Sequence, residues 1–239
     1  MRFVLIHGSW HDGSCWDGVR RHLEAAGHEV YAPTLPGNGA GGDPTVTMAR
    51  TVGSVVDLLT DKDLHDVVLV GHSFGGAVVQ AVAVAVPQRL ARLVFHNAYV
   101  LGDGDTVLQH LPPSAAAAFG SLATADGTLM LPYEAFRATF IQDADEATAR
   151  AAYARLTPEP LGRSGEPLPL PGFTELPVPR SYVYATDDIA FPVEEFTWHP
   201  GQSARLGQFR LVELPGSHEV LFSDPAALAR ALGAAGQAD

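Results

Sequence analysis

The chain is poor in cysteine, in positive charge and in long apolar runs. It has one cysteine, Cys15, in 239 residues. A lone thiol cannot staple the fold internally, so stability has to come from packing. That suits a reducing cytoplasm, which is the expected location. Lys and Arg number 15 against 27 Asp and Glu, giving a formal net charge of −12. An acidic surface repels phosphate backbones and anionic headgroups, which argues against nucleic acid and membrane as partners. The longest apolar stretch, 75–86, is shorter than the roughly 18–20 residues of a membrane span, and Gln80 interrupts it. The opening run Met1 to Gly8 is too short for a secretory leader. There is no internal repeat. With 46% hydrophobic and 18% charged residues, the composition leaves no case for disorder.

What is present is an alternation of short apolar runs with helical patterns, the mark of a parallel sheet with crossover helices. Strands are expected over 3–6, 29–32, 67–70, 92–96, 181–185 and 209–214. Helices are expected over 14–26, 45–60, 74–86, 193–198 and 225–232, with Ser14 as an N-cap and Gly27 just past a C-terminus. Val52, Val55, Val56 and Leu59 recur at helical spacing. The segment 74–86 is apolar almost all round and should be buried at the centre. It stops before Pro87 because a residue preceding proline is pushed out of helical geometry. Between 99 and 180 the pattern changes to an alanine cluster, a helical stretch over 134–156 and a proline-rich run. That is too long for a loop. The expectation is one α/β core over 1–98 and 181–239, with about six mainly parallel strands, flanking helices and an inserted helical cap over 99–180.

One motif carries chemistry. Gly71-His72-Ser73-Phe74-Gly75-Gly76 lies between an expected strand and an expected helix. Glycines on both sides let the chain turn sharply enough to expose a serine at the strand end. The start of the next helix offers N–H groups and the positive end of its dipole, which favour the charge that develops in acyl transfer. Ser73 is therefore the candidate nucleophile; a plain tight turn is the bland alternative. A serine hydroxyl needs a base, and ten histidines compete. With such an elbow the partners follow in the order Ser, acid, His. His218, in the loop after the last strand, opens onto the same sheet edge as Ser73. His7 and His72 flank turns and should bond locally. His22, His28, His65 and His110 are expected to be solvated. His96 ends a strand and is a candidate pocket residue.

The acid should end the preceding strand, where Asp187 and Asp188 are adjacent. A proline commonly follows such an acid by four residues, and Pro192 stands in that relation to Asp188. Asp188 is thus preferred, with Asp187 as a turn or N-cap residue. Its role would be to fix the imidazole tautomer and stabilise the imidazolium. The expected oxyanion donors are the main-chain N–H groups of Phe74 and of Ser9, in the loop after the first strand. Trp10 and Trp16 are candidate walls of the acyl pocket.

With these residues in place, the chain resembles the α/β-hydrolase superfamily, and within it the branch of small methyl-ester esterases and hydroxynitrile lyases. The matching pieces run from Phe3-Val4-Leu5-Ile6-His7-Gly8 and Leu35-Pro36-Gly37-Asn38-Gly39 through the Ser73 motif. They continue through Phe140-Ile141-Gln142-Asp143 and Leu156-Thr157-Pro158-Glu159-Pro160 to Thr186-Asp187-Asp188 and Gly216-Ser217-His218. The resemblance implies a cofactor-free, metal-free site between core and cap. The lyases carry threonine where Gly8 stands and lysine where Glu219 stands, which turns the expectation from cyanide chemistry toward esters. Dehalogenases and epoxide hydrolases place aspartate where Ser73 stands.

The expected function is hydrolysis of a carboxylic ester of a small, partly hydrophobic molecule through an acyl-enzyme. The partners expected are that small-molecule ester and, at most, a second copy of the chain in a homodimer. Thioester or non-hydrolytic chemistry on the same triad is the alternative, and a small-molecule binding protein on this scaffold is the more distant one. The abundance of alanine points to a bacterial source.

Overall fold

In the computed structural model, which describes residues 1–238, six parallel strands form one sheet in the order β2-β1-β3-β4-β7-β8. The strands are β1 (Arg2–Ile6), β2 (Glu29–Tyr31), β3 (Val67–Ser73), β4 (Leu90–Ala98), β7 (Arg180–Ala185) and β8 (Arg210–Leu214). Side chains alternate across this sheet because strand periodicity is two. Val4, Ile6, Val67 and Leu69 face one hydrophobic cluster, whereas Phe3, Leu5, Val68 and Val70 face the other. On the first face lie α2 (Met48–Asp61) and α3 (Gly75–Ala85); on the second, α1 (Asp17–Ala25) and α8 (Pro225–Ala235). Both faces are covered, so the strands read as continuous apolar runs. As expected, α3 is the central helix, buried from Gly75 to Ala83. Its single polar side chain, Gln80, is satisfied by both main-chain groups of Leu101.

Between β4 and β7 the chain forms α4 (Pro113–Leu122), β5 (Thr128–Leu129), α5 (Tyr133–Thr139), α6 (Glu146–Tyr153) and β6 (Glu159–Pro160), with β5 and β6 paired antiparallel. Leu129, Leu131, Phe136, Phe140, Ile141 and Ala149 make a separate apolar cluster that includes Trp10 of the core. One continuous helical stretch over 134–156 is not formed. The residues between α5 and α6 are drawn to the loop of His218: Phe140 O accepts from Glu219 N at 3.0 Å, and Asp143 accepts from Ser217 N and Oγ. Asp145 then caps α6 through Thr148 N.

Other boundaries shift for equally local reasons. Asp12, not Ser14, caps the first helical turn, accepting from Ser14 N at 2.8 Å, and α1 proper starts at Asp17. Thr47 caps α2, which starts at Met48 rather than 45. In place of a helix over 193–198 there is a single 3₁₀ turn, Glu194–Phe196. The prolines at 192 and 200 bracket that segment and deny it helical continuity. A last short helix, α7 (Val220–Ser223), follows His218. No helix among the described residues is long and apolar enough to cross a membrane.

Candidate active site

Ser73 is the last residue of β3 and has φ +52°, in the left-handed region that side chains resist. Strain of this kind persists only where surroundings impose it. The two flanking glycines are required by space rather than by their own dihedrals. A Cβ on Gly71 would lie 2.6 Å from the Gly75 carbonyl, and one on Gly75 would lie 2.6 Å from Ile6 O. Only bare backbone lets β1, β3 and α3 converge this closely. The Phe74 N–H opens the helix and donates to no group among the described residues, and neither does the N–H of Ser9. The loop of Ser9 lies against Ser73: a Cβ on Gly8 would stand 2.9 Å from Ser73 Cβ.

His218 Nδ1 lies 2.6 Å from Asp188 Oδ2, and both side chains are buried. Its other nitrogen, Nε2, makes no hydrogen bond among the described residues, to Ser73 or to anything else. Asp188 is held in turn by Asn97 Nδ2 at 2.5 Å and Ala190 N at 2.9 Å. Asp187 takes a different part: its Oδ2 accepts from Gly216 N and its N–H donates to Gly216 O, which ties down the His218 loop. The His218 ring is stacked on Trp198 at 5.1 Å and lies 4.6 Å from the His72 ring. Burial would push the His218 imidazolium down, but the charge of Asp188, its hydrogen bond and the charge of Glu219 raise it above the ordinary imidazole value.

Around this group lie His11 and Asn97, to which sequence reasoning gave no role, together with His72 and Glu219. His11 Nε2 sits 2.9 and 3.0 Å from the two carboxylate oxygens of Glu219, and both residues are buried. His72 is pushed well below the ordinary imidazole value by burial and by its histidine neighbours, so it is neutral. His11, His72 and Glu219 bring one donor atom each within 4.8 Å of one another. His11 and Glu219 already satisfy one another there, which accounts for the cluster without an ion. Asn97, at φ +36°, closes the loop behind Asp188 by also accepting from Ala185 N.

A cavity of about 30 Å³ borders Ser9 and Trp10 from the core and Leu111, Phe119, Leu129 and Leu161 from the inserted segment. Trp10, a candidate wall residue, lines this cavity. His96 does not. Its ring is fully buried within the sheet, bonded through Nδ1 to Val183 O and stacked 5.2 Å from His72, with burial pushing it down to about 4. The β4–β7 pairing carries it into the core rather than to the cavity. Trp16 is likewise fully buried and packs in the second cluster. His110, expected to be solvated, is buried against Asp105 at 2.9 Å.

The family pattern described as alpha/beta hydrolase matches residues 3–231. The chain belongs to that family. A carbendazim-hydrolysing esterase from Nocardioides sp. is 31% identical over 247 residues, covering 98% of this chain and 99% of that one. Methylesterase 1 of Arabidopsis thaliana is 36% identical over 124 residues, half of this chain and 45% of its own. Among solved structures, an extracellular alpha/beta-hydrolase from a Paenibacillus species is described as sharing structural and functional homology with tobacco salicylic acid binding protein 2. It superposes with a TM-score of 0.96 at 40% identity over the whole of both chains. A pyrethroid hydrolase from Sphingobium faniae JZ-2 gives 0.77 at 27% identity, covering 99% of this chain and 97% of that one.

Proposed function

We propose that this carboxylic ester hydrolase works through an acyl-enzyme on Ser73. His218 takes the Ser73 proton as the hydroxyl attacks the ester carbonyl, and then gives it to the leaving alcohol. Asp188 holds His218 with Nε2 toward the reaction and stabilises the imidazolium. The Ser9 and Phe74 N–H groups receive the oxyanion, each worth about 10²–10³ in rate. Water, activated by the same imidazole, releases the acid.

The observation that carries this reading is the pair of main-chain N–H groups without internal acceptors on either side of a strained serine. Phe74 is buried and Ser9 half-buried, and buried donors are ordinarily satisfied, so two N–H groups left open beside one hydroxyl fit an acceptor that arrives with the substrate. The segment 99–180 serves as the cap: together with Ser9 and Trp10 it walls the cavity, mainly with leucine and aromatic side chains. That lining fits an uncharged, partly hydrophobic small ester.

The test is a panel of activated short-chain esters and of methyl esters with apolar acyl groups, run on the wild type and on Ser73→Ala. Hydrolysis that disappears in Ser73→Ala, together with labelling of Ser73 by a serine-directed phosphonate, is the expected result. Equal turnover by both proteins would end the proposal.

A further inference from the structure

Trp10 follows the Ser9 donor and is held in the left-handed region at φ +64°. That conformation is costly for a bulky residue and needs outside support. All of that support comes from the segment between β4 and β7. The Trp10 N–H donates to Glu159 Oε2 at 3.0 Å, its carbonyl accepts from Thr157 N at 2.7 Å, and its indole Nε1 donates to Leu129 O at 3.1 Å.

Glu159 is itself 2% exposed and paired with Arg163, which is fully buried; Nη2 to Oε1 is 2.7 Å. Asn38 Nδ2 donates to Glu159 Oε2 at 3.0 Å, so both carboxylate oxygens are occupied. They are therefore committed to protein donors, and the carboxylate is not left open to act as acid or base on a substrate. On its other side, the Arg163 guanidinium lies 4.5 Å over the ring of Phe74, the second oxyanion residue. One buried ion pair thus touches Phe74 on one side and the residue next to Ser9 on the other.

Buried ion pairs contribute little net stability, because desolvation offsets the attraction. A pair placed here has a different use. The geometry points to Glu159, braced by Arg163, as the positioning residue of the oxyanion hole: by holding the Trp10 N–H it anchors the peptide one residue beyond the Ser9 N–H and so limits the rotation about Ser9 that would turn that donor away from Ser73. This rests on the Ser73 reading above and adds to it the dependence of that hole on the inserted segment. What the Trp10 N–H requires is an acceptor at position 159, not a charge.

Two double variants separate these needs. Glu159→Gln/Arg163→Met removes both charges but keeps an acceptor; Glu159→Leu/Arg163→Met removes the acceptor as well. Removing both partners avoids stranding a buried charge. The first is expected to keep kcat within about fivefold of wild type. The second should lose about 10- to 100-fold in kcat with KM within twofold, the loss being bounded by the worth of one donor. Equal kcat in the two, or an effect of the second on KM alone, overturns the inference. If the doubles do not fold, Asn38→Ala leaves the Arg163–Glu159 pair in place but removes the donor to Glu159 Oε2 and one acceptor of Arg163 Nη2. A kcat reduced about 3- to 10-fold supports the inference, and an unchanged kcat overturns it. Ser73→Ala run alongside separates the two proposals. If it retains activity, the Ser73 reading fails, and with it the inference. If it is inactive while Glu159→Leu/Arg163→Met is normal, only the positioning role fails.

Discussion

His72 Nε2 lies 3.1 Å from the main-chain carbonyl of His218. A carbonyl only accepts, so Nε2 carries the ring proton, and the residue before Ser73 holds the backbone of the residue proposed as its base. The elbow and the base loop are 146 residues apart in sequence. Among the described residues this bond joins them, with the rings 4.6 Å apart. The proton could not be so assigned if burial did not keep His72 neutral.

The two neighbouring aspartates should separate cleanly in kinetics. Asp188→Asn leaves the His218 tautomer unfixed and is expected to lower kcat by about 10³–10⁴, with KM little changed. Asp187→Asn keeps an acceptor for Gly216 N and should cost less than about fivefold. Steady-state kinetics on the two variants checks this; a larger loss in Asp187→Asn reverses the assignment.

The pH dependence of kcat/KM follows from the raised imidazolium of His218. The base must be neutral to act, so activity rises with pH through the folded-state value, which lies above the ordinary 6.5 or so. Glu219 contributes to that elevation. Glu219→Gln should therefore move the acidic limb toward lower pH. A limb that stays in place, or moves upward, contradicts the electrostatic role of Glu219.

Acid should weaken the fold before it reaches the carboxylates. Burial, the largest effect in each case, pushes His7 down to about 3 and His96 to about 4. In the unfolded chain both titrate near 6.5. Between those values the unfolded state binds protons that the folded state refuses. Stability is thus complete above about pH 6.5 and falls as pH drops toward 4, by up to about 1.4 kcal/mol per pH unit for each histidine. His218, raised in the fold, works in the opposite sense but at the upper end of this range. Urea melts from pH 7.5 to 4 report the slope; a flat profile below pH 6 would show that these imidazoles are hydrated.

Gly71→Ala tests the close approach at the elbow. The added Cβ meets main-chain atoms of Gly75 at 2.6 Å, which cannot rotate away. A cost of about 3 kcal/mol, and a Tm lower by about 6–12 °C, is expected from thermal denaturation. A variant as stable as wild type would mean that β3 and α3 slide apart readily.

Much of this was legible in the sequence, and the reason is geometric. Ser73, Asp188 and His218 each sit at the end of an apolar run, and a parallel sheet carries such ends to one edge. The number of strands and the burial of α3 follow from the same periodicity. What was not legible depends on pairings between distant residues without a local pattern. His11 meets Glu219 across 208 positions, and Trp10 meets Glu159 across 149. His96 shows the converse: read as a strand end it would mark the sheet edge, but β4 runs on to Ala98 and the His96 ring turns into the core, bonded to Val183 O. The interruption between α5 and α6 has the same origin, since local propensity favoured helix and contacts with Glu219 and Ser217 prevailed.

The cavity beside Ser9 has room for little more than a water molecule. If the ester's acyl group is held in that cavity, one larger than a water molecule needs a wider arrangement of the leucine and aromatic side chains around it. Apparent affinity is then the affinity of the wide form scaled by how seldom it occurs. Two esters of equal shape complementarity would be told apart by how often the chamber opens far enough for each. Discrimination would then be read in association rates before it appears in dissociation rates.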